Sequence, residues 1–526
     1  MERIRERLKN KSTSAETVKL RKRRSKLYDK HAGAKQEEFL GINIYVFSVA
    51  FRLVNCFFVQ TSFVPDEYWQ SLEVSHRMVF NYGYLTWEWV EGIRGYSYPL
   101  VFAVLYKVLH IFNYDVPQLL VWLPRVLQAL LAAYTDVKLY MIVRNLENPD
   151  VAKLTYFCQL CSWFTWYCCT RTLTNTTETM LTVLALYYYP LPGSKTHNSS
   201  KYLTLVALAV IVRPTALIVW LPLLAFHFWR DNSKLRLILH HALPIVALSL
   251  GLTTIIDSLF HGQWVLVHWN FLKLNVLHNV SEFYGSHPWH WYFTQGFLVV
   301  LGPHLLFFLH GCSLAPKRHR VLLFTIAWTL IVYSLLAHKE FRFIYPILPI
   351  CIIFCGTSLA NLTTWRRAAV FFLVVANLLP ALYTGLVHQR GTLDVMGHLQ
   401  DLCDPATSNS SQPQVLFLMP CHSTPFYSHV HCPVSMRFLE CPPDLAGDGS
   451  VEDEADDFYF EPLAWLRRTY PLQESLPSHL VFFNVLEKEI STFLEANAFT
   501  KQTEIFHAHV PEGRVGETIF IYTRQI

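Results

Sequence analysis

The sequence predicts a mainly α-helical, polytopic membrane bundle of about eleven spans, with interfacial helices and a small α/β domain at its C-terminal end. Three observations carry that prediction. Of 526 residues, 52% are hydrophobic and only 16% charged, against roughly 25% charged in a soluble domain; an ordinary soluble protein is excluded. Apolar runs of bilayer length recur between Phe39 and His388 with little polar sequence between them. When those runs alternate across a bilayer, the short Lys/Arg clusters joining them fall on one face.

Residues 1–38 hold 13 Lys/Arg against 6 Asp/Glu, a net +7 that leaves −2 for the other 488 residues. The tract Lys19-Leu20-Arg21-Lys22-Arg23-Arg24 has the composition of a nuclear-localisation or nucleic-acid patch. Directly ahead of a span it reads as a positive-inside determinant, so a cytosolic tail and no nucleic-acid partner are expected. No small-residue cleavage site follows the first apolar run, which is expected to be a retained anchor.

The membrane region is expected over 39–388, with spans near 40–60, 117–143, 151–169, 176–192, 202–212, 214–230, 237–256, 290–310, 320–337, 343–360 and 368–388. Its cytosolic turns then carry Arg144 and Lys153, Lys195 and Lys201, Arg230, Lys234 and Arg236, Lys317, Arg318 and Arg320, and Arg366 and Arg367. The apolar stretch 97–112 is about 16 residues, or roughly 24 Å as a helix, short of a 30 Å hydrocarbon core. With Tyr96, Tyr98, Tyr106, Lys107 and His110 it reads as a helix lying in the interface. Arg213-Pro214 interrupts another apolar run, because a lipid-buried Arg is costly and Pro breaks helical bonding; two short helices meeting at the far face are expected.

An odd count places 389–526 opposite the N-terminus, together with the first far-side loop, 61–96. The tail has strand-like runs at Val415–Met419, Leu480–Val485, Thr503–Val510 and Thr518–Tyr522, a helical run near Leu486–Ala496, and an acidic loop at 448–457. Its Cys403, Cys421, Cys432 and Cys441 could form two disulfides in any of three connectivities. Cys421-His422 and His429-Val430-His431-Cys432 also have zinc-ligand types, but one residue between the last two histidines is not finger spacing, and no metal is expected. Sequons at Asn175, Asn279 and Asn409 on the far face are matched by Asn198 and Asn361 on the other, so they do not decide topology.

Three clusters could do chemistry. Pro65-Asp66-Glu67 follows the first span. Pro and acidic residues suit a helix start, yet a carboxylate held against apolar and aromatic surface can also act as a general base. Neighbours on a helix point about 100° apart, so Asp66 and Glu67 should not share one role. His338-Lys339-Glu340-Phe341-Arg342 sits between two spans on the same face. Basic residues often snorkel at span ends, but on the far face such cations, with Arg171 and Arg213, suggest a bound anion. Trp87-Glu88-Trp89 with Arg94 could grip a sugar or simply anchor the interface. No G-x-G-x-x-G, P-loop or D-x-D is present, which disfavours a sugar-nucleotide donor with a bridging metal.

At these residues the chain resembles glycosyltransferase family 22, in Pro65-Asp66-Glu67, in Leu85-Thr86-Trp87-Glu88-Trp89 with Arg94, and in His338-Lys339-Glu340-Phe341-Arg342-Phe343. That family comprises multispanning endoplasmic-reticulum mannosyltransferases of the GT-C fold that use dolichyl-phosphate-mannose. The tail, Met419-Pro420-Cys421-His422-Ser423-Thr424-Pro425-Phe426-Tyr427-Ser428-His429-Val430-His431 and Leu439-Glu440-Cys441-Pro442-Pro443, resembles the branch that adds the third mannose of the glycosylphosphatidylinositol (GPI) core. Gly95 departs from the pattern, where Ser is expected. The resemblance implies a lumenal catalytic face and α-1,2 transfer onto the second mannose of the GPI-precursor glycolipid. It implies Asp66 or Glu67 as catalytic carboxylate, and His338, Lys339, Arg342 and Arg213 at the donor phosphate. Trp87, Glu88 and Arg94 would lie at the acceptor sugar; no cofactor or metal is implied. An acceptor on the dolichol-linked N-glycan precursor is the alternative within the family, and a lipid or solute transporter the alternative outside it. Transporters concentrate charge at the midplane and repeat their halves, features this sequence lacks.

Overall fold

A computed structural model describes residues 38–278, 280–403, 413–445, 453–472 and 475–524. The basic tail to residue 37, the sequons at Asn279 and Asn409, and residues 448–452 of the acidic loop lie outside the described residues. A two-residue turn, Leu40-Gly41, with both φ values positive, closes the hairpin β1 (Glu38–Phe39) and β2 (Ile42–Asn43). Asn43 then caps the helix Ile44–Phe58 by accepting the Tyr45 N–H.

This first helix shows how the bundle is solvated. Its buried face is Ile44, Ser48, Arg52, Asn55 and Cys56, whereas Val46, Val49, Val54, Phe57 and Phe58 are exposed. Polar residues inside and aliphatic residues outside invert the pattern of a soluble helix and suit a lipid surround. Arg52 meets Asp136 at 2.6 Å, and Gln159 donates to the other oxygen of the same carboxylate.

Helices or helix pairs occupy all eleven apolar segments read from the sequence. Among the described residues five are long and apolar enough to cross a membrane by length and composition: Pro117–Leu146, Lys234–His261, Tyr292–Leu314, Phe341–Asn361 and Arg366–Cys403. The protein is a multi-pass membrane bundle. Glycines let its helices approach closely: a Cβ on Gly311 would stand 2.0 Å from the Phe354 carbonyl oxygen. At Arg213 the backbone turns extended and Pro214 follows, separating Ser199–Val212 from Ala216–Arg230.

The helix Ser97–Ile111 does not thread the bundle. The first helix ends at Phe58, and Arg125, the residue after Pro124 in the long helix Pro117–Leu146, donates to the Val59 carbonyl. At the other end of the same pair Tyr45 reaches Met141. The two helices are therefore antiparallel, and everything between Val59 and Val116 leaves and returns at one end. Ser97–Ile111 lies across that end, with Tyr98, Phe102 and Tyr106 buried and Val101, Val104, Val108 and Ile111 exposed.

The tail folds onto this end as a five-stranded mixed sheet. Its strands are β3 (Gln414–Leu418), β4 (Ser435–Phe438), β5 (His479–Phe483), β6 (Phe499–Phe506) and β7 (Thr518–Arg524), in spatial order β4-β3-β5-β7-β6. β3 runs parallel to β4 and β5, while β7 is antiparallel to β5 and β6. Alternation sorts the two faces. Val415, Phe417, Val481, Phe483, Ile519 and Ile521 pack with Tyr68, Trp69 and Leu72 of the first loop and with Phe102 and Tyr106. Leu416, Leu418, Leu480, Phe482, Phe520 and Tyr522 pack on the helices Glu454–Phe460, Pro462–Thr469 and Glu487–Ala496. One sheet face is thus clamped to the first loop. The strand β4 and the helices within 454–469 were not expected from the sequence.

Two pairs of tail cysteines are joined, Cys403–Cys432 and Cys421–Cys441, which selects one of the three connectivities. Cys421 and Cys432 therefore sit in different disulfides and carry no thiolate for a zinc site. Asn175, in one of the far-face sequons, is fully buried, and both of its amide atoms are engaged, with Arg213 and with the Arg342 carbonyl.

Candidate active site

A cavity of about 730 Å³ opens where the first loop, the segment before Phe341, the 262–291 connection and the tail converge. Pro65 opens the helical stretch that carries Asp66, since Tyr68 and Trp69 both donate to its carbonyl. A π-helical turn, Tyr68–Leu72, follows and swings Trp69 and Gln70 to the same wall; such turns recur at functional sites. Asp66 faces the cavity. Its Oδ2 accepts from Arg342 Nη1 at 2.5 Å, and among the described residues nothing bonds Oδ1.

Glu67 does not reach the cavity. It is turned about a third of a circle away, into the bundle, where its Oε2 meets Arg171 Nη1 at 2.8 Å. Arg171 is fully buried and also donates to the Thr61 and Tyr167 carbonyls. The assignment of Glu67 as a catalytic carboxylate is corrected: it is one half of a structural ion pair.

Arg342 organises the opposite wall. Glu340 grips its guanidinium through both oxygens, at 2.6 Å each, and also meets His338 Nε2 at 3.1 Å. Burial works against the charged Glu340 carboxyl, but Arg342 and His338 outweigh it and hold it well below the usual carboxylate range. His338 Nδ1 faces the Gly285 carbonyl at 2.9 Å. With an acceptor at each ring nitrogen, only the imidazolium satisfies both; burial opposes this, yet Glu340 raises the His338 pKa. Three of the five guanidinium N–H groups of Arg342 are engaged by Asp66 and Glu340, leaving two.

Lys339 and Arg213 differ from one another. Lys339 is 3% exposed and spends its ammonium on the His287, Leu336 and Ala337 carbonyls, at the end of the helix Arg320–Leu335; burial lowers its pKa. It lines the cavity as a charge tied to backbone. Arg213 reaches the cavity from the Arg213-Pro214 break, anchored by Thr215 and Asn175 and stacked over Phe343 at 4.8 Å.

Trp87, Glu88 and Arg94 form the third wall. Arg94 donates twice to Glu88 Oε1, and Trp87 Nε1 donates to the Tyr284 hydroxyl at 2.6 Å. After Arg94, a Cβ on Gly95 would stand 3.2 Å from Asp257, whose carboxylate accepts the Tyr96 N–H. Among the lining residues the carboxylates Asp66, Glu88 and Glu340 face Arg94, Arg213, Arg342, Lys339 and His338. The cavity is cationic and suits an anion beside a hydroxyl-bearing ligand.

Sequence reasoning missed the connection 262–291, which brings Phe271, Asn275, Tyr284 and His287 into the cavity. It has no motif, but a long aromatic-rich connection between two spans is itself a signal of function. Sequence reasoning read His422 only as a metal-ligand type and as part of the tail motif, and did not foresee that the tail brings it to the cavity beside Trp69.

A family profile described as the Alg9-like mannosyltransferase family matches residues 43–431. GPI alpha-1,2-mannosyltransferase 3 of Danio rerio is 65% identical over 526 residues, which is 100% of this chain and 98% of that protein. GPI alpha-1,2-mannosyltransferase 3 of Homo sapiens is 60% identical over 514 residues, 97% of this chain and 93% of that protein. Among solved structures, ArnT from Cupriavidus metallidurans bound to undecaprenyl phosphate superposes with a TM-score of 0.58 at 11% identity, over 91% of this chain and 97% of that one. That likeness establishes the GT-C architecture.

Proposed function

The chain belongs to the Alg9-like mannosyltransferase family, and on that premise we propose that it transfers mannose from dolichyl-phosphate-mannose, in α-1,2 linkage, to the second mannose of a GPI-anchor precursor at the lumenal face of the endoplasmic reticulum. It is a glycosyltransferase on a multi-pass membrane scaffold. The names of its zebrafish and human relatives, GPI alpha-1,2-mannosyltransferase 3, support a GPI acceptor and an α-1,2 linkage. A lipid phosphate is bound by ArnT, which shares the architecture, and that supports a lipid-linked donor.

The observation that carries the reading is the Asp66–Arg342 contact at the cavity wall, a carboxylate with one free oxygen against a guanidinium with two free N–H groups. The donor is a β-linked phosphodiester and the product α-linked, so one in-line displacement accounts for both. Asp66 Oδ1 takes the proton from the acceptor 2-hydroxyl as its oxygen forms the bond to mannose C1. The bond from C1 to the phosphate oxygen breaks, and dolichyl phosphate leaves with one more negative charge than it carried as a diester. Arg342 and Arg213 meet that charge, and His338 and Lys339 add to the positive potential. Glu340 aims Arg342, while Glu88 and Arg94 shape the acceptor side. Phosphate leaves readily without a general acid, and no metal is required.

The test is reconstitution of the full chain in vesicles with dolichyl-phosphate-mannose and a dimannosyl GPI glycolipid. A trimannosyl product with a new α-1,2 linkage is expected. No transfer to that glycolipid, with transfer instead to a dolichol-linked N-glycan precursor, would overturn the acceptor assignment.

A further inference from the structure

His422 has four properties that the catalytic reading leaves unused. It sits in a left-handed backbone conformation, φ 61°, which a non-glycine residue adopts at a cost and which clusters at functional sites. Its loop is fastened on every side. Cys421 is joined to Cys441, Ser423 Oγ donates to the Pro420 carbonyl, Trp69 Nε1 donates to the Thr424 carbonyl, and the buried Glu73 accepts the Phe426 N–H. Its ring packs 4.8 Å from Trp69 and 5.2 Å from Phe438. Among the described residues neither ring nitrogen is hydrogen-bonded, although the ring lines the same cavity as Asp66. A half-buried polar ring usually finds a partner within the protein; this one is held in a strained conformation at the cavity wall, with one ring nitrogen within 4.8 Å of the Cys421 and Cys441 sulfurs and no hydrogen bond. Burial lowers its pKa to about 4, so near neutral pH it offers one donor and one acceptor and no charge.

We propose that His422 is an acceptor-binding residue: its neutral imidazole hydrogen-bonds a hydroxyl of the sugar whose neighbouring hydroxyl Asp66 deprotonates, making the tail the acceptor wall of the cavity. This rests on the transferase reading above. The chemistry of the two walls supports it. The wall of Arg213, Arg342 and Lys339 is cationic and suits phosphate, whereas Trp69, Gln70 and His422 present an aromatic face and neutral hydrogen-bonding groups, the combination that suits an uncharged sugar. Asp66 stands between the two.

The test uses the full chain in vesicles and measures KM for donor and acceptor separately. His422→Gly accepts the left-handed backbone without cost and removes the ring, while His422→Asn tolerates that backbone and keeps a donor and an acceptor. His422→Gly is expected to raise the acceptor KM about ten-fold, the size of a lost hydrogen bond and ring contact, with the donor KM within about two-fold. His422→Asn should recover most of the difference. An unchanged acceptor KM in His422→Gly, or an equal rise in both KM values, overturns the assignment. If the glycine variant is absent from membranes, His422→Ala supplies the same comparison. Failure of wild-type protein to use the dimannosyl glycolipid is a failure of the transferase reading instead; the same KM comparison then runs on whichever mannosyl lipid it does use.

Discussion

Two arginine–carboxylate pairs hang from adjacent residues of the first loop, and they are built for opposite ends. Asp66 and Arg342 meet at the cavity, with the Asp66 side chain 25% exposed, while Glu67 and Arg171 meet inside the bundle at 3% and 0%. The cavity pair leaves one carboxylate oxygen and two N–H groups for ligands. In the bundle pair Arg171 is further engaged by the Thr61 and Tyr167 carbonyls, and neither residue lines the cavity that holds Asp66. A single residue of helical rotation separates the cavity wall from the bundle interior.

The largest effect that could break this contrast is on stability. Glu67→Ala leaves Arg171 buried without a counter-charge, a loss of about 3–5 kcal/mol. The expected result is protein depleted from the membrane, and a well-folded, active Glu67→Ala would refute the scaffold role. Next comes Asp66→Asn, which keeps the shape and removes the base. Turnover should fall about 10²-fold or more with substrate binding largely kept. Near-wild-type turnover would remove Asp66 from its role.

The contrast also measures what the sequence made legible. The eleven apolar segments were readable because lipid imposes a long, one-sided composition rule, and the Arg213-Pro214 break because a buried cation and a missing N–H are both local. That Asp66 and Glu67 part company followed from helical rotation, but which of them faces the cavity depended on Arg171, more than 100 residues away. Lys339 reads as a free cation from its composition; the Leu336 and Ala337 carbonyls that hold it are local, but the His287 carbonyl, 52 residues away, is supplied by the fold. Disulfide pairing, the burial of Asn175 and the approach of His422 to Trp69 are long-range facts of the same kind. The 262–291 wall lacks any repeating pattern, so its aromatic content marked it only as unusual.

A smaller effect tests the cationic half of the cavity pair. Arg342→Lys keeps a positive charge but loses the planar fork that Glu340 holds and that reaches Asp66. Donor KM and turnover should both worsen, by about ten-fold in kcat/KM. An effect on acceptor KM alone would move Arg342 to the other wall.

Smaller still is the response of the loop–tail junction to acid. His76 and His429 are lowered to about 3 and His422 to about 4, in each case chiefly by burial, while burial raises Glu73 to about 7. A histidine whose folded pKa lies below its unfolded value near 6.5 stabilises the fold above that value, and the contribution is lost as pH falls toward the folded pKa. Glu73 has the opposite sign, costing stability as pH rises from about 4.5 to 7, because the folded state then binds the extra proton. Three histidines outweigh one carboxyl, so the apparent melting temperature should drop between pH 6.5 and 5. A rise over that window would mean that Glu73 dominates the junction.

The smallest expected effect is none. A catalytic divalent ion needs converging carboxylates free to coordinate it, each delivered by the fold without a competing cation. In this cavity Asp66 is paired with Arg342, Glu340 with Arg342 and His338, and Glu88 with Arg94. A metal would have to displace a guanidinium at each position, and the guanidinium already supplies the charge that a leaving phosphate needs. Transfer is therefore expected to persist in EDTA within about two-fold, a change smaller than the loss of one hydrogen bond. Activity lost to the chelator and restored by Mn²⁺ or Mg²⁺ would show that the paired carboxylates open to a cation during turnover. The distinction between a breakable cavity pair and a permanent bundle pair would then extend to all three carboxylates of the site.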